Sequence, residues 1–121
     1  MPRQSSKLPP RALRAQVWVE CNGKPALSEA SADLLTQIDA TGSLSQAARQ
    51  LRFSYRRAWM LLDSVNKGWP TPLVITATGG HKGGGARLTE LGHHVLRVYR
   101  DLQLQIEHLL DQAGDPFEPM P

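Results

Sequence analysis

The sequence is poor in cysteine. Cys21 is the only one in 121 residues, which excludes a disulfide framework and a multi-cysteine zinc site within one chain. A lone thiol fits a reducing compartment. No apolar run approaches the roughly 20 residues of a membrane-spanning helix. The first ten residues, MPRQSSKLPP, lack the apolar core of a secretory signal. The chain therefore reads as soluble, cytoplasmic and free of membrane contact. Acid is scarce in one long stretch. From Arg49 to Arg87 seven basic residues (Arg49, Arg52, Arg56, Arg57, Lys67, Lys82, Arg87) stand against a single acid, Asp63. Elsewhere acids outnumber bases, although the whole chain carries +3. Such a division presents one cationic side suited to a polyanion; the plain alternative is a solvated basic surface.

At 40% hydrophobic and 21% charged residues, the composition is that of one globular domain. Residues 1–10 read as a disordered arm and 114–121 as a flexible tail, with one domain over 11–113 between them. Alternation over Ala12–Cys21 predicts a half-buried strand, with Leu13, Ala15, Val17, Val19 and Cys21 inward. Cys21 is then a buried strand thiol. Asn22-Gly23-Lys24-Pro25 is a turn.

Helical periodicity follows. Ser28 caps a helix to Thr41, whose apolar face holds Ala30, Leu34, Leu35 and Ile38, and Gly42 closes it. Ser43 and Gln46 fit a capping box opening a second helix over about Leu44–Leu51. Ser54 caps a third, Tyr55–Lys67, with Ala58, Leu61, Leu62 and Val65 as its core stripe. Leu73–Thr78 is β-branched and strand-like, and Ala86–Leu88 returns across the glycine-rich tip Gly79–Gly85. A long helix, about Glu90–Gln112, is capped by Thr89. It carries two apolar stripes: Leu91, Val95, Val98, Leu102 and Leu109, then Leu96, Tyr99, Ile106 and Leu110. Together they form a face too wide for one small domain to cover.

Strand, three helices, hairpin and helix, in that order, predict a mainly α winged helix-turn-helix with a small β component, an N-terminal strand and a long C-terminal dimerisation helix. At 100° per residue the third helix turns Arg56 away from its core side, with Trp59, Met60 and Asp63 around it and Tyr55 and Arg57 at the flanks. Arginine and aromatics at a helix N-terminus suit a major groove. The alternative for Trp59 and Tyr55 is packing on the wing or strand. The glycine tip matches neither a P-loop nor a dinucleotide fingerprint. With His81 and Lys82 it suits approach to DNA backbone; a tip without function is the other reading. His93, His94 and His108 lack metal-ligand spacing. No acid pair suggests acid–base work, so no enzyme, cofactor or metal is expected.

From about Ser28 to Leu110 the sequence resembles the DNA-binding domain of the molybdate-responsive regulator family, ModE. The carrying stretches are TGSLSQAARQL, SYRRAWMLLDSVN and LVITATGGHKGGGARLTELG. Ser54, Tyr55, Ala58 and Trp59 match its recognition-helix pattern, and Thr78–Gly80 with Gly83–Gly85 match its wing. The resemblance implies a LysR-like winged helix, dimeric through its long helix, that binds duplex DNA and regulates transcription. Ser45, Ser54, Tyr55, Arg56, Arg57 and Trp59 are the expected DNA contacts, joined by His81, Lys82 and Arg87 from the wing. Leu91, Val95, Val98, Tyr99, Leu102, Ile106 and Leu109 are the expected dimer contacts. Val74, Ile75 and Thr76 stand where family members often carry charge. Family members continue into a molybdate-binding domain beyond the part resembled here, so molybdate binding is not expected of these 121 residues. The alternative function is a winged-helix module that pairs with a separate molybdate-binding or regulatory polypeptide.

Overall fold

Three helices in the middle of the chain each start on a serine. They are α1 (Glu29–Thr41), α2 (Leu44–Leu51) and α3 (Tyr55–Lys67) in a computed structural model that describes residues 11–77 and 85–118. The expected arm, the end of the tail, and Thr78–Gly84 with His81 and Lys82 lie outside the described residues. Ser28, Ser43 and Ser54 accept from the backbone N–H of Ser31, Gln46 and Arg57, satisfying donors that a first helical turn leaves unpaired. The reciprocal capping box forms at α1, where Ser31 Oγ accepts from the Ser28 N–H at 2.7 Å. At α2, where the sequence predicts one, the Ser43 hydroxyl lies 3.1 Å from Ser45 Oγ instead.

α2 has only eight residues, too few to persist alone in water. Packing holds it: Leu44, Ala47 and Ala48 are buried against Leu34, Leu35 and Ile38 of α1 and Ala58, Leu62 and Val65 of α3. Each large aliphatic side chain so buried stabilises the fold by roughly 1.5–3 kcal/mol. In α1 the inward face includes Ser31 and Ala32, and Ala30 of the expected stripe is half-buried. Leu61 of α3 is also half-buried.

The wing consists of β3 (Val74–Thr76) and β4 (Ala86–Leu88), antiparallel, with Val74 opposite Leu88 and Ile75 opposite Arg87. Asn66 fastens it to the end of α3. Its side-chain oxygen accepts from the Leu73 and Val74 N–H groups, and its amide donates to the Val74 carbonyl. The other end is tied to the helices by the Ala86 N–H, which donates to Gly42, the αL residue closing α1. Thr89 caps α4 (Glu90–Ala113) and also donates to the Pro72 carbonyl.

The strand expected over Ala12–Cys21 is shorter. Only Val19–Cys21 pairs, as β1, with β2 (Lys24–Leu27) across an Asn22–Gly23 turn in which both residues have positive φ. Alternation marks two faces but does not supply a partner strand. Residues 11–18 instead run beside α4, held by the Tyr99 hydroxyl on the Val17 carbonyl and by Arg11 on Asp115. Cys21 is exposed, a correction to its expected burial, because this hairpin ends in solvent. Ala15 is exposed as well.

Two antiparallel hairpins and four helices in this order form a mainly α winged helix-turn-helix fold with a long C-terminal helix. At 24 residues α4 spans about 36 Å. Its apolar face is covered unevenly, with Val98 exposed and Ile106 and Leu110 half-buried. Val95 and Tyr99, one from each stripe, are buried in the core, while Leu102 and Leu109 further along are exposed.

Candidate nucleic-acid interface

α3 buries Ala58, Leu62 and Val65, and the 3.6-residue period therefore turns Tyr55, Arg56, Trp59, Met60 and Asp63 outward. Tyr55 is 55% exposed and Trp59 42%. Their rings meet edge to face with centroids 6.1 Å apart. The two aromatics thus pack on each other, one turn apart on the helix. This arrangement fixes two flat side chains at the N-terminal end of α3 beside Arg56, which makes no ion pair among the described residues. Asp63, the one acid of the cationic stretch, is taken up by Lys67 at 2.9 Å.

Arg57 behaves differently from Arg56. Its guanidinium lies 4.1 Å from the centroid of the Phe53 ring, a cation–π contact that braces the turn between α2 and α3. It also lines a groove with Trp18, Glu29 and Asp33. Ser54 is engaged as the α3 cap, with its Oγ accepting from the Arg57 N–H at 3.0 Å; its own O–H remains a donor. Ser45 is exposed on α2 beside Ser43. Arg87 is exposed in the middle of β4, across from Ile75, which is 45% exposed. Ser45, Ser54, Tyr55, Arg56, Trp59 and Arg87 are therefore all at the surface.

Periodicity singles out neither the positive-φ residue Arg52 nor the Phe53 platform. A turn joining two helices has none, and only the two-residue gap, Arg52–Phe53, between the α2 pattern and the Ser54 cap hints at tight backbone geometry. Among the expected dimer residues, Val95 and Tyr99 are buried within the chain and Leu91 and Ile106 are half-buried. Val98, Leu102 and Leu109 are 44%, 41% and 63% exposed. Leu104, also exposed, lies on the other side of α4. Among the described residues no group of His, Cys, Asp and Glu is placed to hold a metal ion, and no helix is long and apolar enough to cross a membrane.

The Molybdenum transport protein ModE of Azotobacter vinelandii is 37% identical over 101 residues, which is 84% of this chain and 37% of that protein. The chain is a ModE relative. The transcriptional regulator ModE of Haemophilus influenzae is 38% identical over 87 residues, 72% of this chain and 34% of its own. The DNA-binding transcriptional dual regulator ModE of Escherichia coli K12 is 42% identical over 74 residues, covering 61% of this chain and 28% of its own. The chain spans about a third of the length of the ModE proteins it matches. No protein-family model matches it.

Proposed function

We propose that this chain binds duplex DNA sequence-specifically and regulates transcription, working as a homodimer. The observation that carries the reading is the outward face of α3. Arg56, which makes no ion pair among the described residues, stands beside a mutually packed Tyr55–Trp59 pair at the N-terminal end of the second helix of a helix-turn-helix. Arginine takes guanine bidentately in the major groove, and aromatic rings pack on sugar or a thymine methyl. Ser45 and Ser54 donate to phosphate, and Arg87 anchors the wing. His81 and Lys82, outside the described residues, are assigned to the wing from the sequence alone.

The dimer rests on the exposed apolar side chains of α4. Val98, Leu102 and Leu109 continue the face that Val95 and Tyr99 bury, and a second copy of the same helix covers them with the same residues. A two-fold contact then sets two α3 helices about 34 Å apart, one turn of duplex. Molybdate binding is not assigned to the described residues. The larger groove, beside residues 13–18, holds Glu29 and Glu107 against Arg14, and the smaller holds Glu29 and Asp33 against Arg57. Carboxylates in such numbers disfavour a dianion. Selection from a pool of random duplexes tests the whole reading. It should enrich a two-fold symmetric site with half-sites about 10 base pairs apart. No enrichment over input would reject sequence-specific binding.

A further inference from the structure

α2 ends in a Schellman motif. The Phe53 N–H donates to the Ala48 carbonyl at 2.9 Å and the Arg52 N–H to the Arg49 carbonyl at 3.1 Å. In this motif the exit residue takes the left-handed conformation, and glycine fills that place most often because it has no Cβ to crowd the following carbonyl. α1 obeys the rule with Gly42, φ 72°. α2 does not: its exit residue is Arg52, φ 59° and ψ 33°. Among the described residues the other non-glycine with positive φ is Asn22, a type that tolerates this region far better than arginine does.

The capping bonds do not explain an arginine here. They are made by backbone atoms, and glycine would make them with less strain. Nor does packing explain it, since Arg52 is exposed and forms no ion pair among the described residues. What the position offers is location. Arg52 lies two residues before Ser54, the cap of α3, and one turn beyond the exposed Arg49. No acid occurs between Asp39 and Asp63.

We propose that Arg52 is a backbone-phosphate contact of the DNA complex. This inference rests on the DNA-binding reading above and adds to it a residue not among the contacts expected from the sequence. With α3 in a major groove, the turn before its N-terminus meets the flanking strand, as the first helix of such a motif crosses the backbone. A guanidinium there takes a phosphate through paired N–H donors. The contact carries no base preference. The unfavourable left-handed backbone is retained because the side chain acts outside the fold.

The experiment compares Arg52→Gly and Arg52→Lys with the unaltered chain, by thermal unfolding and by binding to a selected and a random duplex across a salt series. Arg52→Gly should melt at the same temperature or a few degrees higher, because the strained position receives its preferred residue. Its affinity should fall about tenfold on both duplexes, and its salt slope should become shallower by about 0.9 per protomer. Arg52→Lys should keep the slope, since its charge is unchanged. Unaltered affinity and slope in Arg52→Gly, with the parent binding duplex DNA, would overturn the proposal. So would a loss confined to the selected duplex, or a loss of affinity accompanied by a lower melting temperature. A parent chain that fails to bind any duplex would remove the DNA-binding reading and this inference with it.

Discussion

The hydroxyl of Tyr99, in the middle of α4, donates to the carbonyl oxygen of Val17 at 2.7 Å. That bond joins residues 82 apart in sequence and holds the N-terminal segment along the long helix. Burial raises the hydroxyl's pKa above its ordinary 10.0; Glu29 adds to the rise, Arg100 opposes it and Asp33 reinforces it. A tyrosine with a raised folded pKa contributes its full stability below about pH 10, and that contribution is lost as pH climbs through the folded value. Tyr99→Phe should therefore cost about 1 kcal/mol at neutral pH. The parent should lose stability faster than the variant above pH 10. Denaturant unfolding at a series of pH values measures both, and parallel curves above pH 10 would contradict the assignment.

Gly92 sets the distance between α4 and the wing. A Cβ there would overlap the Leu73 carbonyl oxygen, and Leu73 is held on its other side by Asn66. Because neither backbone can give way freely, Gly92→Ala should destabilise the fold by about 2–3 kcal/mol, despite alanine's better helix propensity. Chemical denaturation reads the change. A variant as stable as the parent would mean that the α4–wing contact is loose.

Arg56→Ala should cost about 1–3 kcal/mol on the selected duplex and much less on random sequence. Competition binding separates the two. Equal losses on both would show that Arg56 meets phosphate and not a base edge.

Leu102 is 41% exposed on the apolar face of α4. Leu102→Glu should leave the melting of the protomer nearly unchanged. It should abolish the dimer, because association would bury an unpaired carboxylate. Sedimentation at micromolar concentration distinguishes the outcomes, and a persistent dimer would move the contact elsewhere.

Much of this fold is legible in the sequence because the signals are local. Ser28, Ser43 and Ser54 mark three helix starts, Gly42 one helix end, and the 3.6-residue spacing of Ala58, Leu62 and Val65 turns Arg56 outward. The losses occur where a long-range partner decides. Period-two alternation from Ala12 to Cys21 fits a strand, yet only Val19–Cys21 finds one to pair with, supplied by Lys24–Leu27, whose first two residues read as part of a turn. Asn66 carries no periodic signal, although its amide fixes the wing. Val95 and Tyr99 occupy different stripes of α4, and the sequence does not say that Ile106 and Leu110 are half-buried while Val98, Leu102 and Leu109 stay exposed. Within the candidate interface, the surface position of Arg56, Tyr55 and Trp59 follows from spacing. The Phe53–Arg57 stack and the left-handed Arg52 depend on how the turn closes.

The central claim, dimeric binding of duplex DNA through a cationic helix-turn-helix, is tested most directly by the salt dependence of affinity for a selected duplex. Four or five phosphates neutralised per protomer predict that log K falls with log salt at a slope of about −7 to −9. A slope shallower than about −3 would contradict it.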